Sequence, residues 1–245
     1  MDHTAARPAG SAPAMRRKYW ARLGGRCLAV LAAVGCYLLQ PSAFAVLEGM
    51  AFFHGLTPLH LLWLVWMGDM LLQLRSARAV MALGSQKQFG RYYQPGRRAG
   101  DKEALAGFIR ESDRGARRVF LIWALVIAGI GALKRSGLLG RAEIFLTVAF
   151  FYVCDLVCVL VWCPFRVFWM KNRCCATCRI FNWDHLMMFT PFLFVSGFYG
   201  GSLLALSVVV FLVWEAAFRL HPERFWEGSN QALSCKNCTD RLCGR

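Results

Sequence analysis

The stretch FNWDHLMMFTPFLFVSGFYGGSLLALSVVVFLVWEAAF, residues 181–218, decides the fold of this chain. It is much longer than the roughly 20 apolar residues that cross the hydrocarbon core of a bilayer. Gly200-Gly201, in its middle, is a turn signal. Its strongly polar residues, apart from serine and threonine, are Asn182, Asp184, His185 and Glu215. The stretch therefore predicts a membrane hairpin of two short spans.

The composition of the whole chain agrees with a membrane protein. It is 57% apolar and 18% charged, whereas an ordinary soluble domain is roughly half apolar and about one quarter charged. Most of the basic residues behind the net charge of +15 lie between apolar runs. This is the distribution of cytosolic loops beside an anionic inner leaflet. We expect that leaflet, and not a nucleic acid, to be the partner of these basic residues, and the sequence identifies no protein partner.

Further apolar runs precede the hairpin. They cover about residues 27–39, 56–74, 119–133 and 143–163. With the hairpin, they predict an all-α polytopic transmembrane bundle of about six spans. The count falls to five if the first run is a signal peptide cleaved near Ala43-Phe44-Ala45, although an uncleaved anchor is the favoured reading.

The chain is predicted to form one membrane domain. Residues 1–26 are expected to be a disordered basic N-terminus, and residues 27–245 a single bundle. The bundle includes a cytosolic loop at 75–118, a cysteine loop at 164–182 and a cysteine-rich tail at 220–245. Within the first loop, Asp101 is expected to cap a short helix. An even number of spans places both termini in the cytosol, and we expect the cytoplasmic membrane of a prokaryote. The basic loop with Lys134, Arg135 and Arg141 departs from this pattern, because it falls on the outer face.

Two cysteine clusters flank the hairpin. Each contains a Cys-x-x-Cys pair, namely Cys175 with Cys178 and Cys235 with Cys238. Such pairs supply thiolates for tetrahedral metal sites, and a membrane hairpin would bring the two pairs together on one face. The spacing predicts a cytosolic four-cysteine site for zinc, with an iron–sulfur cluster as an alternative. The further candidate ligands or reactive thiols are Cys174, Cys243, His185 and His221.

Acidic residues inside the predicted spans are a second set of candidates. Asp155 lies near the centre of the fourth span, and Cys158 follows it on the same helical face. A charge at this depth is expected to be paired, protonated or functional. Asp69 and Glu215 are further members of a polar core, and Glu215 is expected to pair with Arg219 four residues later.

Three functions are compatible with these residues. The first is a structural or sensing role for a metal site that joins the cysteine loop to the tail. The second is a thiol-redox or electron-transfer enzyme that uses a dithiol with a quinone or an iron–sulfur cluster. The third is a cation or proton-coupled transporter that uses Asp155. The sequence contains no P-loop, dinucleotide fingerprint or nucleophile elbow, so a catalytic role is not favoured.

Overall fold

The computed structural model describes residues 12–74 and 87–237, and this part of the chain is built of helices and turns without a strand. We number the α-helices in chain order. They are α1 (Ala12–Leu39), α2 (Pro58–Leu74), α3 (Lys102–Arg135), α4 (Arg141–Leu160), α5 (Asp184–Phe189) and α6 (Phe198–Leu220). Short 3-10 turns at Arg179–Trp183 and Thr190–Phe194 extend α5 in both directions.

The helices run back and forth between two ends of the bundle. We call the end with Gly49, Arg141 and Gly197 the Gly49 end, and the end with Cys158 and Cys163 the cysteine end. At the Gly49 end, backbone hydrogen bonds join the loop between α1 and α2 to the turn before α6. Gly49 N donates to Ser196 O, and Phe198 N donates to Gly49 O.

Long-range hydrogen bonds fix the direction of each helix. Tyr37 of α1 donates to Glu143 at the start of α4, over 2.6 Å. Tyr199 at the start of α6 donates to the carbonyl of Leu59 at the start of α2, over 2.7 Å. Gln73, near the end of α2, donates to Asp184 at the start of α5. Residues 12–74 and 87–237 therefore contain six passages between the two ends, with residues 179–194 as the fifth passage.

Four of these passages are long and apolar enough to span a membrane. They are α1 over Arg16–Leu39, α3, α4 and α6. Helix α2 is equally apolar but has 17 residues, and the fifth passage contains only six residues of α-helix. The described part of the chain is thus all-helical with four candidate membrane-spanning helices, and the predicted count of about six spans is not confirmed.

The surface of these helices is apolar where it faces outward. Examples are Leu28 and Leu31 on α1, Leu125 on α3 and Leu212 on α6, which are all exposed. Such an outer surface suits lipid, because contact with water would leave it unfavourably hydrated. Inside, Trp66 is fully buried and its ring lies 5.4–5.7 Å from the rings of Phe145, Tyr152 and Phe189. Aromatic contacts of this geometry hold the centre of the bundle.

Two helices extend beyond the bounds that the sequence predicts. Helix α1 begins at Ala12, within the segment expected to be disordered. Helix α3 is capped as predicted, since Asp101 Oδ1 accepts a hydrogen bond from Ala104 N over 2.9 Å. It does not end in the loop, however, and continues to Arg135. The Arg-rich residues 110–118 are therefore helical and not an irregular loop.

The predicted turn at Gly200-Gly201 is wrong. Both glycines lie in the first turn of α6, and the chain reverses at Val195–Gly197 instead. A Cβ at Gly200 would lie 2.8 Å from the ring of Phe192. Glycine is required there for close packing of the fifth passage against α6, and not for a bend.

Candidate functional site

Two cysteines lie on either side of the end of α4. Cys158 is in the last turn of the helix, which ends at Leu160, and Cys163 follows it. Pro164 comes next, and a residue before proline disfavours the helical conformation. The chain therefore leaves the helix between the two thiols, which lie close enough for Cys158 to affect the pKa of Cys163.

The environment of Cys163 favours a thiolate. The interaction with the neighbouring thiol of Cys158 is the main cause, and it lowers the pKa of Cys163 to about 6. The backbone N–H of Arg166 adds a hydrogen-bond donor, 3.4 Å from Cys163 Sγ. Partial burial acts in the opposite direction but does not outweigh these effects. The side chain is only partly buried, so a reactant can reach it.

The loop after Cys163 returns a third thiol to this pair. Lys171 has a φ of 48°, which reverses the chain. Asn172 Nδ2 then donates to the carbonyl of Thr177 over 2.9 Å and closes the loop. Cys175 lies inside this closed loop, and its Sγ donates to the backbone carbonyl of Cys158 over 3.6 Å.

The thiols of Cys175 and Cys178 are less acidic than that of Cys163. Burial raises the pKa of Cys175 to about 12. It also raises the pKa of Cys178, which packs in the core against Ala116 and Val119 of α3. We call Cys158, Cys163 and Cys175 the thiol cluster.

Helix α3 supports the segment that carries the cluster. A Cβ at Gly115 would lie 2.9 Å from Met170 Sδ and 3.1 Å from the carbonyl of Trp169. The missing side chain thus allows α3 to approach the turn at Phe165–Trp169. This contact fixes the start of the cysteine loop.

The predicted four-cysteine metal site is only partly within the described residues. Cys178 is buried, Cys175 is partly buried, and Cys235 is exposed in the last described turn. Over residues 12–74 and 87–237, no three His, Cys, Asp or Glu side chains are grouped so that they could hold a metal ion. Cys238 and Cys243 lie outside these residues, so the complete set of four ligands stays a prediction.

The other candidate ligands have separate surroundings. His185 is buried, with Nδ1 at 3.2 Å from Asp184 Oδ1. His221 ends α6 and lies 3.3 Å from Glu223. Cys174 is partly buried in the closed loop, where its carbonyl accepts a hydrogen bond from Thr177 N.

Asp155 is paired with an arginine from another helix. Arg26 Nη1 of α1 donates to Asp155 Oδ2 over 2.7 Å and to the carbonyl of Tyr152 over 2.6 Å. Its other nitrogen lies 3.8 Å from Asp69, and its guanidinium lies 4.0 Å from the centre of the Tyr152 ring. Asp69 and Asp155 thus share one cation, as a charge at this depth requires.

The expected pairing of Glu215 with Arg219 is wrong. Glu215 instead accepts from Arg179, over 2.5 Å, and from Trp183 Nε1, over 2.9 Å. Arg179 also pairs with Asp113 of α3, and Arg219 lies 3.5 Å from the same carboxylate. The buried arginine displaces the local partner because it reaches two carboxylates at once. It is consequently bound by acids and not directed at the thiols.

Cys163 and Arg26 are the two residues that reasoning from the sequence did not select. Cys163 is the last residue of a predicted span, although its spacing from Cys158 and the proline that follows it are signals for a pair of thiols at a helix end. Arg26 belongs to the predicted basic N-terminal segment. It lies in the same helix as the first apolar run, which made it a potential partner for Asp155.

Comparisons with protein-family models, with curated proteins and with solved structures find no match to this chain.

Proposed function

We propose that this protein is a membrane thiol–disulfide oxidoreductase, with Cys158 and Cys163 as its redox-active pair. The observation that carries the proposal is the placement of these two thiols on either side of the end of α4, with Arg166 N 3.4 Å from Cys163 Sγ. The neighbouring thiol of Cys158 lowers the pKa of Cys163 to about 6, which favours its thiolate near neutral pH. A reactive dithiol needs both properties.

The proposed reaction begins with the thiolate of Cys163. It attacks one sulfur of a substrate disulfide, breaks the S–S bond and releases one thiolate of the substrate. Cys158 then loses its proton to the released thiolate, and its sulfur attacks Cys163 in the mixed disulfide. The second substrate sulfur leaves as a thiolate, the substrate is reduced by two electrons, and Cys158 and Cys163 are oxidised to a disulfide.

Cys175 has a supporting role in this proposal. Its Sγ–H donates to the carbonyl of Cys158, and its raised pKa keeps it protonated at neutral pH. It is therefore a weak nucleophile while Cys163 reacts. Once Cys158 and Cys163 are joined, Cys175 is the nearest thiol in the cysteine loop that could exchange with their disulfide.

The proposed topology has six spans with the cysteine end in the cytosol. The fifth passage combines ten residues of 3-10 helix with six of α-helix. At rises of about 2.0 and 1.5 Å per residue, it extends roughly 29 Å, close to the hydrocarbon thickness of about 30 Å. Basic residues concentrate at the cysteine end, including Arg16, Arg17, Arg114, Arg117 and Arg118. This distribution favours a cytosolic cysteine end in the cytoplasmic membrane of a prokaryote.

Two other functions from the sequence receive less support. A structural zinc site at Cys175, Cys178, Cys235 and Cys238 would use Cys175, which the proposed redox function assigns to the thiol cluster. Cation transport through Asp155 is not favoured, because the guanidinium of Arg26 already occupies its carboxylate. Both remain outcomes of the experiment below.

The experiment measures alkylation of each cysteine in the reduced, detergent-purified protein. Peptide mass spectrometry follows iodoacetamide labelling from pH 4.5 to 9.5. We expect the labelling rate of Cys163 to rise through a midpoint near pH 6, since only the thiolate reacts. Cys175 should stay slow over this range. Cys158→Ala removes the neighbouring thiol and should move the Cys163 midpoint upward, whereas the control Cys36→Ala should leave it unchanged.

A second step tests the reaction itself. With hydroxyethyl disulfide, the unchanged protein should form the disulfide between Cys158 and Cys163, and Cys158→Ser should retain a mixed disulfide on Cys163. A Cys163 midpoint near pH 8.5, the value of an ordinary thiol, would overturn the proposal. So would one zinc per chain that is lost together with Cys235→Ser, because that result supports the metal site instead.

A further inference from the structure

A cavity of about 560 Å³ separates α1 from α2. Helix α1 also packs along α4, and Tyr152 of α4 contributes to the cavity wall. The wall residues of α1 recur every three or four positions, as on one helical face, from Arg22 to Cys36. The volume is in the range of about 300–1,000 Å³ that small-molecule sites occupy.

The cavity is polar at one end and apolar along the rest. Arg22, Arg26 and Asp69 lie at the cysteine end. Beyond them the walls are small or aliphatic, with Ala29 and Ala32 on α1 facing Leu62 and Val65 on α2. The small alanine side chains leave the space into which an alkyl chain could pack.

The two arginines at the polar end differ in how they are paired. Two guanidinium groups and one carboxylate line the cavity. Arg26 is bound to Asp155 and lies near Asp69. Arg22 lies 5.8 Å above the ring of Tyr19. Within residues 12–74 and 87–237, Arg22 has no carboxylate at ion-pair distance. An anion beside Arg22 would complement this end of the cavity.

The cavity extends from the two arginines to the Gly49 end of the bundle, where Cys36 and Pro58 line it. From Arg26 to Cys36, α1 rises about 15 Å at 1.5 Å per residue, and the next residue, Tyr37, donates to Glu143 at the start of α4. A molecule with its head at the two arginines would therefore extend its apolar part along α1 toward the Gly49 end. A quinone would fit the apolar part but carries no charge to meet the guanidiniums.

We propose that this cavity binds one anionic phospholipid, with its phosphate at Arg22 beside Arg26 and an acyl chain along Ala29 and Ala32. The site is independent of the thiol cluster. Neither Cys158 nor Cys163 lines it, and the bound lipid takes no part in the exchange reaction.

The test uses native mass spectrometry of the full-length protein released from detergent. The probes are phosphatidylglycerol, phosphatidylcholine and glycerol phosphate, each titrated separately. We expect one phosphatidylglycerol per chain to be retained at a concentration at which the other two probes dissociate. Arg22→Gln should weaken this binding about tenfold, which corresponds to the loss of one hydrogen bond to a charged group.

Two further variants separate the head site from the chain site. Ala32→Phe keeps the charges but fills the apolar part of the cavity, and it should also weaken phosphatidylglycerol binding. Arg17→Gln is the matched control, because Arg17 is exposed on the same helix and does not line the cavity. The lipid-free melting temperature of each variant verifies folding.

Three results would overturn the proposal. Equal retention of phosphatidylcholine would remove the role of the anionic head. Equal retention of glycerol phosphate would remove the role of the acyl chain. Displacement of the lipid by ubiquinone at equal concentration would assign the cavity to a quinone.

Discussion

At the scale of the residue, Gly197 has the least space for a side chain among the glycines of residues 12–74 and 87–237. A Cβ at this position would lie 2.0 Å from the carbonyl oxygen of Leu47 and 3.1 Å from Gly49 N. The two loops meet at this point through the backbone hydrogen bonds on either side of Gly197. Gly49 itself has a φ of +49°, which favours glycine. The close approach sets where the fifth passage turns into α6.

The first prediction concerns this contact. Gly197→Ala should destabilise the protein by about 1–3 kcal/mol, as overpacking does, because backbone atoms and not a flexible side chain block the new methyl group. The midpoint of SDS-induced unfolding measures the change. Gly201→Ala is the control, since no atom lies within 4 Å of a Cβ there, and it should stabilise α6 by about 0.5–1 kcal/mol. Equal effects of the two variants would contradict the close approach.

The residues of the site differ in how far the sequence alone could predict them. The Cys-x-x-Cys spacing identifies Cys175 and Cys178, and the depth in a predicted span identifies Asp155; all three lie at the cysteine end. The partner of Asp155 was not readable, because Arg26 comes from a helix far away in sequence. For the same reason, the local pairing of Glu215 with Arg219 was wrong, since no spacing rule includes a buried arginine from another segment.

At the scale of the element, Arg179 connects three parts of the bundle. Only 3% of its side chain is exposed, and it pairs with Asp113 of α3 and Glu215 of α6. Its guanidinium also lies 4.0 Å from the centre of the Phe218 ring. These contacts attach the segment after the cysteine loop to both helices.

The second prediction follows from that burial. Arg179→Met should cost about 3 kcal/mol, because it leaves two carboxylates without their shared cation. Arg219→Met is the matched control. Its side chain is 61% exposed beside Asp113, so it should change stability by no more than about 1 kcal/mol. SDS-induced unfolding again provides the measurement, and a smaller loss for Arg179→Met than for Arg219→Met would contradict the assigned role.

Elements were predicted best where a local signal marks an end. Asp101 is such a signal, and it caps α3 as expected. The continuity of α3 was missed because the charged residues 110–118 resemble a loop by composition alone. No proline interrupts them, and nothing in the chain therefore stops the helix before Arg135.

At the scale of the whole molecule, the proposed topology places the cysteine end in the cytosol. The third prediction uses single-cysteine variants in a bacterial host. A membrane-impermeant maleimide should label Cys235 only in inverted vesicles, and an introduced Ser136→Cys only in intact spheroplasts. Cys235 is exposed, and Ser136 is exposed at the opposite end of α3, so both can react wherever the reagent is present.

The contrary result is equally clear. Labelling of Cys235 in spheroplasts would place the thiol cluster outside the cytosol, where disulfides persist. The basic loop at Arg141 would then obey the positive-inside pattern, and the larger set of arginines at the cysteine end would not. Folding of each variant is verified by its elution as a single detergent-solubilised species.

Helix α3 has one more consequence for the whole molecule. Its 34 residues extend about 51 Å at 1.5 Å per residue, well beyond a hydrocarbon core of about 30 Å. In the proposed topology, the charged N-terminal half of α3 therefore extends beyond the hydrocarbon core as a continuous helix. Phe108 in this half stacks against Trp226 of the tail, with ring centres 6.1 Å apart. The number of helical turns in α3 thus sets how far this part of the tail lies from the hydrocarbon core.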